Sequence, residues 1–362
     1  MNEARRRQDA MKAAVAAGVN ALLVTHPSDV RYLSGFTGSS AALALAGGKA
    51  VLFTDGRYRA QAKNEAKGLR VVVEQKPATV LAVEWLVEQG VARCGFDSAH
   101  TSVAGWERLR QALPTGKRRG FFVGVEGLVT RLREVKDEDE IDRMRRAADL
   151  GCRLFEGVLE HVVAGATEAS VAAELEYQAR LGGAEAMSFE TIVAGGERSA
   201  LPHGKASGAK LPRKGFCTMD FGVVLGGYCS DMTRTVHLGK ASQREWDVYH
   251  SVLEAQLAAV EIVRSGVTGG EVDEAARSVL RRAKLDKYFS HSTGHGVGLE
   301  IHEGPRLAKD QKQVLEPGMV ITIEPGAYLP GEFGIRIEDM VLVTDDGGEV
   351  LTAGSPKVWM EL

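Results

Sequence analysis

Cysteine is scarce in this sequence. Cys94, Cys152, Cys217 and Cys229 stand far apart, with no Cys-x-x-Cys pair among them. That excludes a disulfide scaffold and fits reduced core thiols in a cytoplasmic protein. Long apolar runs are missing too, since no stretch approaches the roughly 18 residues of a membrane span. The Arg5-Arg6-Arg7 cluster resembles the charged end of a signal peptide, but Asp9 and Lys12 follow it, and Gly18 and Asn20 interrupt the apolar residues from Ala13 to Val24. An excess of charge is also lacking: the formal net charge is -3 and the pI about 6.3. Nothing there attracts nucleic acid or an anionic membrane, so a small molecule or a peptide is the expected partner.

What is present is an ordinary globular composition, 44% hydrophobic and 26% charged over 362 residues, enough for two domains with real cores. The first 125 residues alternate helical and extended patches. Helices are predicted over 3–18, 55–66, 80–88 and 102–113. Strands are predicted over 21–25, 42–46, 50–54, 69–74 and 94–97, with Gly47-Gly48 as a hairpin turn. This reads as a mixed α/β domain without any acid, His or Cys cluster at ligand spacing. A break is expected around Gly127–Arg133. Lys136-Asp137-Glu138-Asp139-Glu140-Ile141 then opens a long helix whose acidic first turn suits the helix dipole. The domain boundary is placed near residue 130, giving domains 1–130 and 131–362.

The second domain repeats itself loosely. Helices over 137–163 and 167–181 lead to strands near 188–194, 216–223 and 227–237. Helices over 243–264 and 269–284 lead to strands near 291–302, 319–325 and 335–344. Two helices followed by sheet, twice over, suggest a duplication about a pseudo-two-fold axis.

The chemistry concentrates in three strand-like segments of this domain. In Met219-Asp220-Phe221 and Ser230-Asp231-Met232, a hairpin turning on Leu225-Gly226 sets Asp220 opposite Asp231, where like charges are destabilising unless a positive group lies between them. Separate surface aspartates remain the alternative. Glu324 ends the apolar run Val320-Ile321-Thr322-Ile323, and Glu338 lies inside Ile335-Arg336-Ile337-Glu338-Asp339-Met340. Carboxylates in strands of that kind are costly if ionised and unpaired, so they call for a cation: Arg336 for one of them, or a metal. Between these pairs lies His291-Ser292-Thr293-Gly294-His295-Gly296-Val297-Gly298, with His302 beyond it. Four carboxylates and the imidazole of His295 suit two divalent ions in charge and number. Oxygen-dominated ligands favour manganese, with cobalt or zinc as alternatives.

These motifs carry a family resemblance. The Asp220/Asp231 segment with Ser-Asp-Met-Thr-Arg-Thr, the His-Ser-Thr-Gly-His-Gly-Val-Gly run, Ile-Glu-Pro-Gly-Ala-Tyr and Gly-Ile-Arg-Ile-Glu-Asp resemble, in order, those of the pita-bread metallopeptidases of family M24. Ser28–Phe36 and Asp55-Gly56-Arg57-Tyr58 are similar to the creatinase/prolidase-type N-terminal domain. The resemblance implies an α/β (α+β) chain with a pita-bread C-terminal catalytic domain, duplicated about a pseudo-two-fold axis, behind a smaller creatinase-like domain. It implies that Asp220, Asp231, His295, Glu324 and Glu338 ligate two metals, with Asp231 and Glu338 bridging. His203, His291 and His302 match the Xaa-Pro-cleaving branch.

The implied activity is hydrolysis of the Xaa-Pro bond by a metal-bridging hydroxide. Glu324 moves the proton, His203, His291 and His302 contact substrate, Arg336 orients the bridging carboxylates and Tyr328 lines the site. A prolidase cleaving Xaa-Pro dipeptides is expected, with an aminopeptidase P acting on longer peptides as the alternative. Methionine aminopeptidase is disfavoured by the N-terminal domain, and metal-free creatinase by the ligands present. A non-catalytic binding protein on this fold is the remote alternative. A cytoplasmic homodimer is expected by analogy with the family.

Overall fold

The computed structural model describes residues 3–362, which form two compact units divided between Arg133 and Glu134. In the first unit, α1 (Glu3–Ala16), β1 (Ala21–Val24), α2 (Pro27–Ser34), β2 (Ala41–Ala46), β3 (Lys49–Thr54), α3 (Arg59–Glu65), β4 (Arg70–Val73), α4 (Ala78–Glu88), β5 (Cys94–Phe96), α5 (Val103–Ala112), β6 (Phe122–Gly124) and α6 (Leu128–Glu134) follow one another. The strands make one mixed sheet in the order β4-β3-β2-β1-β5-β6. Its core gathers Leu23, Phe53, Leu81, Trp85, Leu86 and Phe121. Gly47 and Gly48, both at positive φ, turn the β2–β3 hairpin, as the paired glycines require.

Two features of this unit depart from the sequence reading. The expected break at Gly127–Arg133 is instead the helix α6, and the motif at Ser28–Phe36 contains the helix α2. Pro27 opens α2 within its first turn, where a missing N–H costs nothing, and Gly35 closes it in the left-handed conformation. In α6 the charged residues do not mark a loop, because Arg133 is buried and donates to Asp29 at 2.7 Å. An internal ion pair of that kind has no periodic sequence signature.

The second unit runs α7 (Glu138–Val158), α8 (Glu168–Leu181), β7 (Ala186–Met187), β8 (Ile192–Gly195), β9 (Gly215–Phe221), β10 (Val223–Leu225), β11 (Tyr228–Cys229), β12 (Met232–Leu238), α9 (Gln243–Glu261), α10 (Gly269–Arg282), β13 (Gly294–Gly296), β14 (Glu303–Leu307), β15 (Val320–Ile323), β16 (Gly326–Leu329), β17 (Phe333–Arg336), β18 (Asp339–Val343) and β19 (Gly348–Val350). Capping boxes start α7 at Asp137/Glu140, α9 at Ser242/Glu245 and α10 at Thr268/Glu271, each satisfying two orphan N–H groups. Helices α7 and α8 share a core with β8, β9 and β12, built on Phe155, Leu175, Val193, Met219 and Phe221. Helices α9 and α10 share another with β15, β17 and β18, built on Val252, Ala276, Ile321, Ile323, Ile335 and Val341. Each fully buried Ile or Phe contributes about 1.5–3 kcal/mol. The unit is thus two helix-pair-on-sheet halves, as the repeat in the sequence suggested.

The register of the first half corrects one expectation. The β10–β11 turn falls on Gly226-Gly227, both at positive φ, and pairs Leu225 with Tyr228. Asp220 therefore faces Thr233 across β9 and β12, and Asp231 lies two residues along. Gly222 is obligatory here, because a Cβ on it would sit 1.8 Å from the Ser230 carbonyl oxygen. In the second half, the expected strand over 291–302 shrinks to β13. Gly294 and Gly296 are needed for close approach to the Thr322 and Gly304 carbonyls. All four cysteines are buried and free. Among the described residues no helix is long and apolar enough to cross a membrane.

Candidate active site

The acids arrive at one place because the two halves of the second unit meet there. Asp220 ends β9, Asp231 precedes β12, His295 is the centre of β13, Glu324 follows β15 and Glu338 lies between β17 and β18. Strand β12 joins the halves: the Glu338 N–H donates to the Thr233 carbonyl at 3.1 Å, and Thr233 Oγ1 donates to Glu338 Oε2 at 2.7 Å. All five residues line one cavity of about 620 Å³, together with His203, His291, His302 and Arg336. Asp231, His295 and Glu338 bring their ligand atoms within 4.8 Å of one another.

The charges fit a cation. Burial, reinforced by Glu338, Asp220 and Glu324, pushes the Asp231 carboxyl well above its ordinary range, and burial with Glu324 and Asp220 does the same to Glu338. Burial also lifts Glu324 to about 8, against the opposing pull of Arg336. Such a group of carboxylates cannot all ionise without positive charge between them. Asp220 has one such partner, since its Oδ2 accepts from Arg336 Nη2 at 2.6 Å. Its Oδ1, buried, accepts no hydrogen bond.

The histidine is set the same way. His295 Nδ1 lies 2.9 Å from the Gly296 carbonyl, which can only accept, so the proton sits on Nδ1. The Nε2 lone pair then faces Asp231 Oδ2 at 3.6 Å and Glu324 Oε1 at 3.7 Å. Burial keeps this ring neutral, with a pKa lowered to about 4. Carboxylates and an imidazole lone pair pointed at one another are the donor set of a divalent-metal site. The residues present fit such an ion.

The other expected residues divide into those that face the cavity and those that stand behind it. His203 lies on the loop after β8, and His302 packs edge-on against His295 with ring centroids 4.5 Å apart. Tyr328, expected to line the site, is not among the cavity-lining residues. It is buried, and its hydroxyl accepts from Arg336 Nη1 at 2.7 Å. That leaves the Tyr328 O–H to donate to His291 Nε2 at 2.8 Å, while His291 Nδ1–H donates to the Ser292 carbonyl at 2.8 Å. Both ring nitrogens of His291 are so engaged, and its expected role as a donor to substrate has no free N–H in this arrangement. Arg336, expected to orient the bridging pair, grips Asp220 and the Pro202 carbonyl directly and reaches Glu338 through Thr233 Oγ1.

Several cavity residues escaped the sequence reading. Phe189, Ile192 and Ile301 supply apolar wall, and Glu190 pairs with Lys205 at 2.5 Å. Arg306 also lines the cavity and forms no ion pair among the described residues. Glu303 is buried beside His302, where its Oε1 accepts the Glu300 N–H and its Oε2 meets Lys136 at 3.4 Å. Only Glu303 carried a signal, as an acid closing the histidine segment.

Comparison with known proteins places this geometry. Residues 142–345 match metallopeptidase family M24, and residues 6–135 match the creatinase/prolidase N-terminal domain. The peptidase YqhT of Bacillus subtilis is 37% identical over 340 residues, 94% of this chain and 95% of that protein. Among solved structures, an Xaa-Pro dipeptidase from Bacillus anthracis is 38% identical, covers 100% of both chains and superposes with a TM-score of 0.95. An X-Pro aminopeptidase from Thermotoga maritima is 36% identical, covers 97% of this chain and 100% of that one, with a TM-score of 0.88. The chain belongs to metallopeptidase family M24 and carries a creatinase/prolidase-type N-terminal domain. It is a peptidase with the pita-bread catalytic fold expected from its motifs.

Proposed function

We propose that this protein is a dinuclear-metal Xaa-Pro peptidase acting chiefly as a proline dipeptidase. The observation that carries the reading is the convergence of Asp220, Asp231, His295, Glu324 and Glu338 in one cavity with His203 and His302. Those five residues would hold two divalent ions, with manganese favoured by the oxygen-rich ligand set. When bound, the ions supply Lewis acidity toward the scissile carbonyl and lower the pKa of water from 15.7 toward about 7.

The remaining work falls to the protein. Glu324 takes the proton of the attacking water and returns it to the proline nitrogen as the C–N bond breaks. One water is consumed, and the free first residue and proline are released. His302 and His203 face the cavity and position the carbonyl. A proline nitrogen has no amide hydrogen, so the pocket needs no acceptor there. Phe189, Ile192 and Ile301 offer the ring an apolar wall.

The dipeptidase assignment rests on Arg306. The two other cavity cations are occupied, Arg336 by Asp220 and Lys205 by Glu190, which leaves the Arg306 guanidinium for a terminal carboxylate. The likeness to the Bacillus anthracis Xaa-Pro dipeptidase adds support. The likeness to the Thermotoga maritima X-Pro aminopeptidase favours the second reading, release of the first residue from longer peptides. Cleavage of Ala-Pro and Ala-Pro-Ala, compared with manganese, cobalt and zinc, separates the two. Faster release of alanine from the dipeptide is expected, and preference for the tripeptide would establish the aminopeptidase instead.

A further inference from the structure

Helix α10 carries a buried carboxylate for which the proposed chemistry has no use. Val272, Ala276, Val279 and Leu280 seat the helix on its core, and Asp273 is only 1% exposed. Its Oδ1 accepts both the Thr293 N–H at 3.1 Å and the Thr293 hydroxyl at 2.7 Å. Its Oδ2 accepts from Arg277 Nε, one turn along, at 2.7 Å. The rest of the Arg277 guanidinium reaches the same segment: Nη2 donates to the His291 carbonyl at 2.5 Å and Nη1 to the Phe289 carbonyl at 3.3 Å. The guanidinium also lies 4.3 Å over the Phe289 ring, which stands edge-on to His291 at 5.0 Å. The chain of contacts continues into the site, because the Thr293 carbonyl accepts the Glu324 N–H at 2.7 Å.

A helix-surface ion pair would spend its spare donors on solvent. Here every named bond of the pair that leaves the helix ends on residues 289–293, between a ring packed on His291 and the backbone of Glu324. Resting on the peptidase reading above, we propose that Asp273 and Arg277 are the positioning pair of this active site, fixing the Phe289–Thr293 segment so that His291 and Glu324 keep their placement. Neither residue lines the cavity, so both act through the residues they hold.

The test uses the full chain loaded with manganese, with Asp273→Asn, Arg277→Met and Arg277→Lys compared against wild type. Manganese affinity by titration, thermal midpoint, and kcat and KM for Ala-Pro are measured for each. Arg277→Met is expected to keep its manganese and lose kcat by about 10–100-fold, with KM changing less, and Arg277→Lys to recover part of that loss. Asp273→Asn is expected to weaken manganese binding by about tenfold with its circular dichroism unchanged, because the Thr293 link to Glu324 loosens. Wild-type kcat in Arg277→Met overturns the proposal. So does a parallel loss of manganese, thermal midpoint and kcat that Arg277→Lys leaves unrestored. Absence of Ala-Pro cleavage by the wild type would defeat the dipeptidase reading instead. The manganese titration would still decide the positioning pair, with wild-type affinity in Asp273→Asn overturning it.

Discussion

The two halves of the catalytic unit hold their site loops by the same device and to different ends. In the first half, Glu168 in the opening turn of α8 accepts from the Gly195 N–H at 3.0 Å, Arg198 Nε at 2.9 Å, and the Ser207 N–H and hydroxyl at 3.1 and 2.6 Å. It thereby brackets the loop that carries His203. In the second half, Asp273 on α10 grips Thr293, between His291 and His295. Both helices begin on a threonine cap, Thr167 and Thr268. The segment held by Glu168 carries exposed residues, His203 among them, whereas the segment held by Asp273 has Phe289 and Thr293 buried and runs into β13. One clamp holds the rim segment around His203, the other the segment that leads to His295 on the cavity floor.

Breaking the floor should cost most. Asp231→Asn, which removes a carboxylate expected to bridge the two metals, is expected to lower metal content and Xaa-Pro cleavage by at least about a hundredfold. Unchanged values of both would end the ligand assignment. His302→Ala, beside His295 yet proposed for substrate, is expected to keep its metals and lose turnover by about a hundredfold. Metal loss in that variant would move His302 into the ligand set. At the mouth, Arg306→Ala is expected to reduce kcat/KM for Ala-Pro by about tenfold and for Ala-Pro-Ala by much less, a charged hydrogen bond being worth about 1.5 kcal/mol or more. Equal losses on the two peptides would remove the carboxylate role. On the rim, Glu168→Gln is expected to raise KM by a few-fold with metal content intact, and a metal defect there would make the two clamps equivalent.

The clustered acids also set a pH dependence for the metal-free protein. Glu324 is raised from 4.5 to about 8 by burial, and Asp231 and Glu338 are raised as well. Between those values these carboxyls bind more protons in the folded chain than in the unfolded one, so the stability they contribute below about 4.5 is lost as the pH rises through about 8. Up to about 6.5 the buried rings of His291 and His295, lowered to about 4, work in the opposite sense. The thermal midpoint of chelator-treated protein should therefore fall between about pH 6.5 and 8, and manganese should flatten the slope by replacing the protons. A midpoint that rises across the window would show that the carboxylates are not held together as described.

Much of this was legible in the residues. Glu324 and Glu338 stood out because acids in unbroken apolar strands need a charge partner, Asp220 and Asp231 as a facing pair, and His295 as a histidine between the two; the two-fold helix-helix-sheet repeat showed in the order of patches. The hairpin register did not, since Leu225-Gly226 and Gly226-Gly227 are both plausible turns by composition. Only the ladder of β9 on β12 chose between them, with Gly222 packed against Ser230. The roles of Tyr328 and His291 were equally hidden, because a chain of donors and acceptors from Arg336 to Ser292 joins residues remote in sequence.

By itself, then, the sequence determined which residue types could form the centre, two domains' worth of core, and the family, because those depend on local pattern and on motifs in order. The tertiary structure alone decided which acid meets Arg336, which imidazole nitrogen carries its proton, and which buried charges on α8 and α10 hold the loops. Each of those is settled by the single nearest partner, and the nearest partner lies in another element.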